Sequence, residues 1–137
     1  MSDIPVRLRR LVVLRAGDRC EYCRLAQKGQ EATFHLDHIL PKVAGGRTAA
    51  ANLALACVSC SLRKEARRSA IEPNTNRRVA LFHPRRQRWP NHFRWEGFRI
   101  VGLTSTGRAT VAALQMNRPL ILAIRQEESL RGRLLRQ

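Results

Sequence analysis

Two cysteine pairs constrain this chain more than any other feature. Cys20 and Cys23 form one C-x2-C knuckle and Cys57 and Cys60 a second, with Cys23 and Cys57 34 positions apart. Each knuckle can turn two thiolates toward one tetrahedral zinc ion. Together they predict a structural Zn2+ site, because four thiolates fill the coordination sphere and leave no position for a reacting water. The long stretch between the knuckles suits a site that clamps the two ends of an inserted hairpin. Disulfides and four buried free thiols are the alternatives, and the paired spacing disfavours both. A small core built in this way is expected to need its metal to fold.

Pattern and punctuation place elements around the knuckles. Residues 5–16 predict a helix, with Pro5 in a first-turn position and Gly17 as its stop. Leu8, Leu11, Val12 and Arg15 would share its buried face. Residues 32–40 predict a strand rich in β-formers, broken at Pro41 and at Gly45–Gly46. A turn at 48–51 leads to a second strand, Asn52 to Ala56. Residues 59–70 predict a helix capped by Ser59. Past a turn-rich joint at 71–78, strands are expected at 79–82 and 98–103 and helices at 106–116 and 119–135.

Charge narrows the partners. The chain carries 26 Lys and Arg against 10 Asp and Glu, a formal net charge of +16. Only Lys28, Lys42 and Lys64 are lysines. Such a surplus points to a polyanion, and guanidinium forks favour nucleic acid over an anionic membrane surface. An Arg-rich codon preference would explain arginine over lysine but not the shortage of acids. No apolar run is long enough to span a bilayer, and the Leu11–Leu14 patch is too short for a secretion signal. The expected location is therefore the cytoplasm, with no membrane partner.

Between the knuckles runs F34-H35-L36-D37-H38-I39-L40-P41, followed by G45-G46, Asn52 and C57-V58-S59-C60-S61-L62-R63-K64. Over residues 5 to about 70 this order of motifs resembles the HNH endonuclease family in its four-cysteine, zinc-containing bacterial form. The tail is more faintly similar to that of a bacterial subgroup. The resemblance implies a ββα-metal core of hairpin plus helix that cleaves DNA with one divalent cation, Mg2+ or Mn2+. It implies Asp37 as metal ligand, His38 as general base, and Asn52 as the residue that holds the catalytic loop. A carboxylate suits a hard cation, and a neutral imidazole can take a proton from water near neutral pH. Ser61 stands where the family usually has His or Asn, so the second protein ligand is open among Ser61, Glu65, His35, His83 and His92.

The expected fold class is α+β: an HNH core with zinc knuckles at 1–70, and an α/β extension at 71–137 packed on it as one compact unit. Arg63, Lys64, Arg67 and Arg68, with His35, are candidate nucleic-acid contacts, although such a run is commonly a solvated helix face. Trp89, Phe93, Trp95 and Phe98 are expected in the tail's core rather than stacked on bases. The principal function expected is a metal-dependent phosphodiesterase acting on DNA, with RNA as a further substrate class. The rivals are a non-catalytic zinc module that binds nucleic acid and a zinc domain for protein contacts.

Overall fold

Residues 4–136 are described by a computed structural model. Helix α1 (Val6–Arg15) begins behind Pro5, which caps it from outside, and the Gly17 amide closes it on the Leu14 carbonyl. Its buried face differs from the expected one. Val12 is 0% exposed, whereas Leu11 points to solvent and Leu8 is half-buried. Arg15 donates instead to the Leu53 carbonyl at 2.6 Å, so a charged residue ties the helix to a distant part of the chain, 38 positions on.

The first hairpin pairs β1 (His35–His38) with β2 (Leu53–Ala56), antiparallel, with Asp37 opposite Ala54 and His38 opposite Leu53. Strand β1 is shorter than the pattern over 32–40 predicts. At one end the Phe34 amide donates to the Gln27 side chain; at the other, the Leu40 amide donates to Asn52 Oδ1 at 2.8 Å. Side chains replace the strand ladder at both ends. The connecting loop carries 3-10 turns at Lys42–Ala44 and Ala50–Asn52. Gly46 is needed there: a Cβ would lie 1.7 Å from the Leu40 carbonyl oxygen.

Helix α2 (Val58–Lys64) is capped by Cys57, whose sulfur accepts from the Cys60 amide, and not by Ser59. It stops six residues short of the expected end because Glu65 turns left-handed, with φ 52°. Residues expected in that helix instead form β3 (Ser69–Ile71), antiparallel to β4 (Arg78–Ala80).

The tail continues with a single turn, α3 (Trp89–His92), and a hairpin of β5 (Phe93–Glu96) and β6 (Arg99–Gly102). The sequence pattern identified only the second of these strands. Helices α4 (Ser105–Ala113) and α5 (Pro119–Leu130) complete it, both shorter than predicted. The class is α+β, with three separate two-stranded antiparallel sheets among the described residues.

One hydrophobic cluster runs from Val12, Tyr22, Phe34 and Leu55 to Phe82, Trp89, Phe93, Ile100 and Met116. Phe82 meets Phe93 edge-on with centroids 5.2 Å apart, and Trp89 Nε1 donates to the Tyr22 carbonyl at 2.8 Å. Trp89 and Phe93 are buried as expected, while Trp95 and Phe98 are half-buried. No helix of the described residues is long and apolar enough to cross a membrane.

Candidate functional site

The two knuckles bring Cys20, Cys23, Cys57 and Cys60 together, all buried, with their sulfurs within 4.8 Å of one another. Cys23 Sγ and Cys57 Sγ are 3.7 Å apart. A disulfide needs about 2.05 Å. Four thiolates about 2.3 Å from a tetrahedral zinc lie about 3.8 Å from each other, so the spacing fits the metal and not a bridge. Backbone amides already turn inward: Cys23 N donates to Cys20 Sγ, and Cys60 N to Cys57 Sγ. Hydrogen bonds from the neighbouring thiols push the Cys23 pKa well below the ordinary thiol value. A buried, four-sulfur metal-binding cluster is thus built into the chain.

The cluster holds the base of the β1–β2 hairpin against α2, and the chemistry-bearing residues gather beside it. An open cleft of about 430 Å³ is lined by His35, Asp37 and His38 from β1, Lys42 from the loop, and Ser61 and Glu65 from α2 and its end.

Residues 20–67 match the family model described as HNH endonuclease. No curated protein and no solved structure matches the chain. The HNH segment thus runs from the first cysteine to Arg67; it encloses both knuckles, the hairpin and α2, and leaves α1 and the tail outside.

Within the HNH segment Asp37 is 8% exposed and heavily engaged. Tyr22 donates its hydroxyl to Asp37 Oδ2 at 2.8 Å, and Lys64 Nζ lies 3.2 Å from the same oxygen. Burial raises the Asp37 pKa, opposed by the Lys64 charge and the Tyr22 bond. Lys64 is only 2% exposed and also bonds the Ile39 carbonyl. Its expected role as a phosphate contact is therefore corrected: its ammonium faces inward, onto Asp37. Burial next to Asp37 explains the difference, since a charged group leaves water only when paired.

His38 Nε2 lies 2.9 Å from Thr48 Oγ1. Burial and the nearby Lys42 charge lower its pKa, against the opposite pull of Asp37. Asn52 makes three hydrogen bonds across the loop: it accepts from Leu40 N and donates to the carbonyls of Leu40 and Arg47. It pins the loop's two ends together and touches His38 only through that loop.

His35 Nδ1 is 2.8 Å from Ser61 Oγ, so two of the candidate ligands already hold each other at the cleft's edge. Glu65 joins them in the lining. His83 and His92 do not: His83 lies along a separate cavity, and His92 Nδ1 bonds Thr104 Oγ1 at 2.6 Å in the tail. Of the arginine run, Arg63 bonds Ser59, Arg67 reaches the Ala113 carbonyl, and Arg68 stands exposed. Sequence reasoning missed Tyr22 and Thr48. Neither carries a local signal, because each becomes relevant only when the hairpin folds next to it.

Proposed function

We propose that this chain is a metal-dependent endonuclease that hydrolyses phosphodiester bonds in DNA. The observation that carries this reading is the convergence of His38, Asp37 and three further donors, His35, Ser61 and Glu65, on one open cleft within a segment matched by the HNH family. In this reading His38 is the general base, Asp37 a ligand of a catalytic Mg2+ or Mn2+, and Asn52 the residue that fixes the loop.

The donor set fits such a cation in kind: Asp37 and Glu65 offer carboxylates, Ser61 a hydroxyl and His35 an imidazole. When bound, the cation would act as a Lewis acid for the phosphate and the departing oxygen. The remaining work falls to side chains. Thr48 Oγ1 holds His38 Nε2 at 2.9 Å and so fixes the ring's orientation; in this reading Nε2–H donates to that hydroxyl and Nδ1 takes the proton from water. A lowered pKa keeps that imidazole neutral at physiological pH. Asn52 prevents the loop from moving relative to β2 while the proton is transferred. Zinc held by Cys20, Cys23, Cys57 and Cys60 would tie the first knuckle to the junction of β2 and α2.

Plasmid nicking with Mg2+, Mn2+ and EDTA tests the reading directly. His38→Ala should lower the rate by about 10²- to 10⁴-fold while zinc content and DNA binding stay near wild type. Full activity in His38→Ala would overturn the assignment of the base. A second reading is favoured by one observation: Lys64 already neutralises Asp37, and Ser61 is bound to His35. A zinc module that binds nucleic acid without cutting it would show salt-dependent binding and no cleavage with any metal. Cleavage that requires Mg2+ or Mn2+ would exclude it.

A further inference from the structure

The loop that supplies Lys42 to the cleft also supplies Arg47 and Asn52 to a second, larger cavity of about 840 Å³. Its facing wall is the tail segment from Ala80 to Gln87, which lies outside the family match. Three features define what it can hold. First, Arg47, Arg68 and Arg86 are exposed along it, and among the described residues none of them forms an ion pair. Five other arginines are ion-paired, among them Arg85 with Glu21, Arg108 with Glu72 and Arg133 with Glu128; what sets Arg47, Arg68 and Arg86 apart is that they converge on one cavity. Second, no carboxylate lines the cavity. Third, its floor carries apolar surface: Leu40 and Ala49 are half-buried and Ala51 is exposed there, with Ile39, Leu81 and Phe82 buried behind the wall.

A bare anion would need the arginines but not the apolar floor. An apolar ligand would use the floor and leave three guanidinium charges uncompensated. A nucleotide satisfies both, with phosphate at the rim and a base against the floor, and the volume lies in the range of small-ligand sites. We propose that this cavity is a nucleotide-binding subsite that takes one unpaired nucleotide of the substrate strand. The proposal rests on the nucleic-acid reading above and deepens it: a cavity shared by the HNH loop and the tail would give preference for strands with an unstacked base, since a base inside a duplex cannot enter a pocket.

The test uses the zinc-loaded full chain without Mg2+ or Mn2+. Thymidine 5′-monophosphate, deoxyadenosine 5′-monophosphate and inorganic phosphate are titrated by calorimetry and followed through backbone amide shifts. The nucleotides should bind about tenfold or more tightly than inorganic phosphate, the margin that base burial contributes. Shifts should centre on Arg47, Ala49 and residues 80–87. Arg68→Ala and Arg86→Ala, both surface changes, should each weaken nucleotide binding by about fivefold or more with an unchanged circular dichroism spectrum. His38→Ala should leave it unchanged.

Equal affinity for nucleotide and phosphate would overturn the proposal in favour of a plain anion patch. Shifts centred on His35–Lys42 would overturn it by placing the nucleotide in the cleft, and absence of binding would end it. Failure of the two readings is distinguishable. A chain that binds nucleotide here but cuts no DNA defeats the endonuclease reading alone. One that cuts DNA with nucleotide binding indifferent to Arg68 and Arg86 defeats only this subsite.

Discussion

The HNH segment and the tail are held together by different kinds of force. Between residues 20 and 67 no regular element exceeds seven residues, and β1 and β2 have four each. Cohesion there comes from point attachments: four sulfurs in one cluster, Asn52 across the loop, and the Tyr22–Asp37–Lys64 group. The tail has the longer helices α4 and α5 and is held by backbone capture and arginine–carboxylate pairs. Arg125, 1% exposed, donates to the carbonyls of Phe98 and Met116, and Asn117 bonds both the amide and the carbonyl of Ile100. Point attachments allow the HNH segment to present an open cleft on very little secondary structure. They also make it dependent on a few atoms, whereas the tail's cohesion is distributed.

Removing the metal should have the largest effect. Structural zinc in small cysteine sites contributes on the order of 10 kcal/mol to folding at neutral pH. Cys57→Ser, or a strong chelator, should therefore unfold the HNH segment. The tail should lose its packing too, since Trp89 hangs its indole N–H on the Tyr22 carbonyl inside the first knuckle. Zinc analysis and near-ultraviolet circular dichroism, which reads Trp89 and Trp95 in the tail, would measure both losses. An unchanged tryptophan signal after chelation would show that the tail stands alone. A protein with no zinc and two disulfides would defeat the metal reading.

Lys64→Met should have the next largest effect. It removes the cation that compensates a buried Asp37 and leaves that carboxylate with the Tyr22 hydroxyl alone. Breaking a buried pair on one side typically costs about 3–5 kcal/mol, which urea unfolding of the zinc-loaded protein would register. Loss of under about 1 kcal/mol would mean that Asp37 is already neutral in the folded chain. Added Mn2+ should restore more stability to Lys64→Met than to wild type if Asp37 is a metal ligand. Equal responses would argue against that role.

The same contrast explains what the sequence made legible. Ligand-type residues at fixed spacing announce themselves locally, so the cysteine cluster and the β1–β2 hairpin could be read in advance, whereas Asn52 stood out only through the family resemblance. Lys64 could not be read in advance. It lies on the helix that carries Arg63 and looks like part of a basic face; only the packing of α2 on β1 turns its ammonium onto Asp37. The over-long helix expected at 59–70 failed for a related reason. Glu65 adopts φ 52°, and the Leu81 amide claims the Arg68 carbonyl, a partner thirteen positions away in sequence. Strand β5 was invisible because its register is set by β6 and by the turn at Gly97, not by alternation within FRWE. Distributed long-range contacts leave a weak local imprint, and the tail is built from them.

The smallest effect expected concerns two of the buried carboxyls, one in each region, whose pKa values are pushed in opposite directions. Burial raises the pKa of Asp37 in the HNH segment. Glu72, at the entry to the tail and 0% exposed, is instead held down to about 2 from an ordinary 4.5. The Arg108 guanidinium is the main cause, helped by the Thr75 amide at 2.6 Å and the Thr75 hydroxyl at 2.9 Å. A carboxyl whose pKa is depressed by folding binds fewer protons in the folded state. Its contribution is complete above the unfolded value of 4.5 and is lost as pH falls toward 2. Between pH 5 and pH 3 the urea midpoint should fall through zinc release from the protonated thiols as well as through Glu72, so the gap between wild type and a Glu72 variant, not the midpoint itself, reads this carboxyl. Glu72→Gln should be less stable than wild type at pH 7, because Arg108 loses its charged partner, and the gap between the two should narrow as the pH drops. Arg108→Gln should show the same narrowing, since the pair acts as a unit. A constant gap from pH 7 to pH 3 would mean that Glu72 is not ionised in the fold, and the tail's reliance on arginine–carboxylate pairs would have to be reassigned to packing alone.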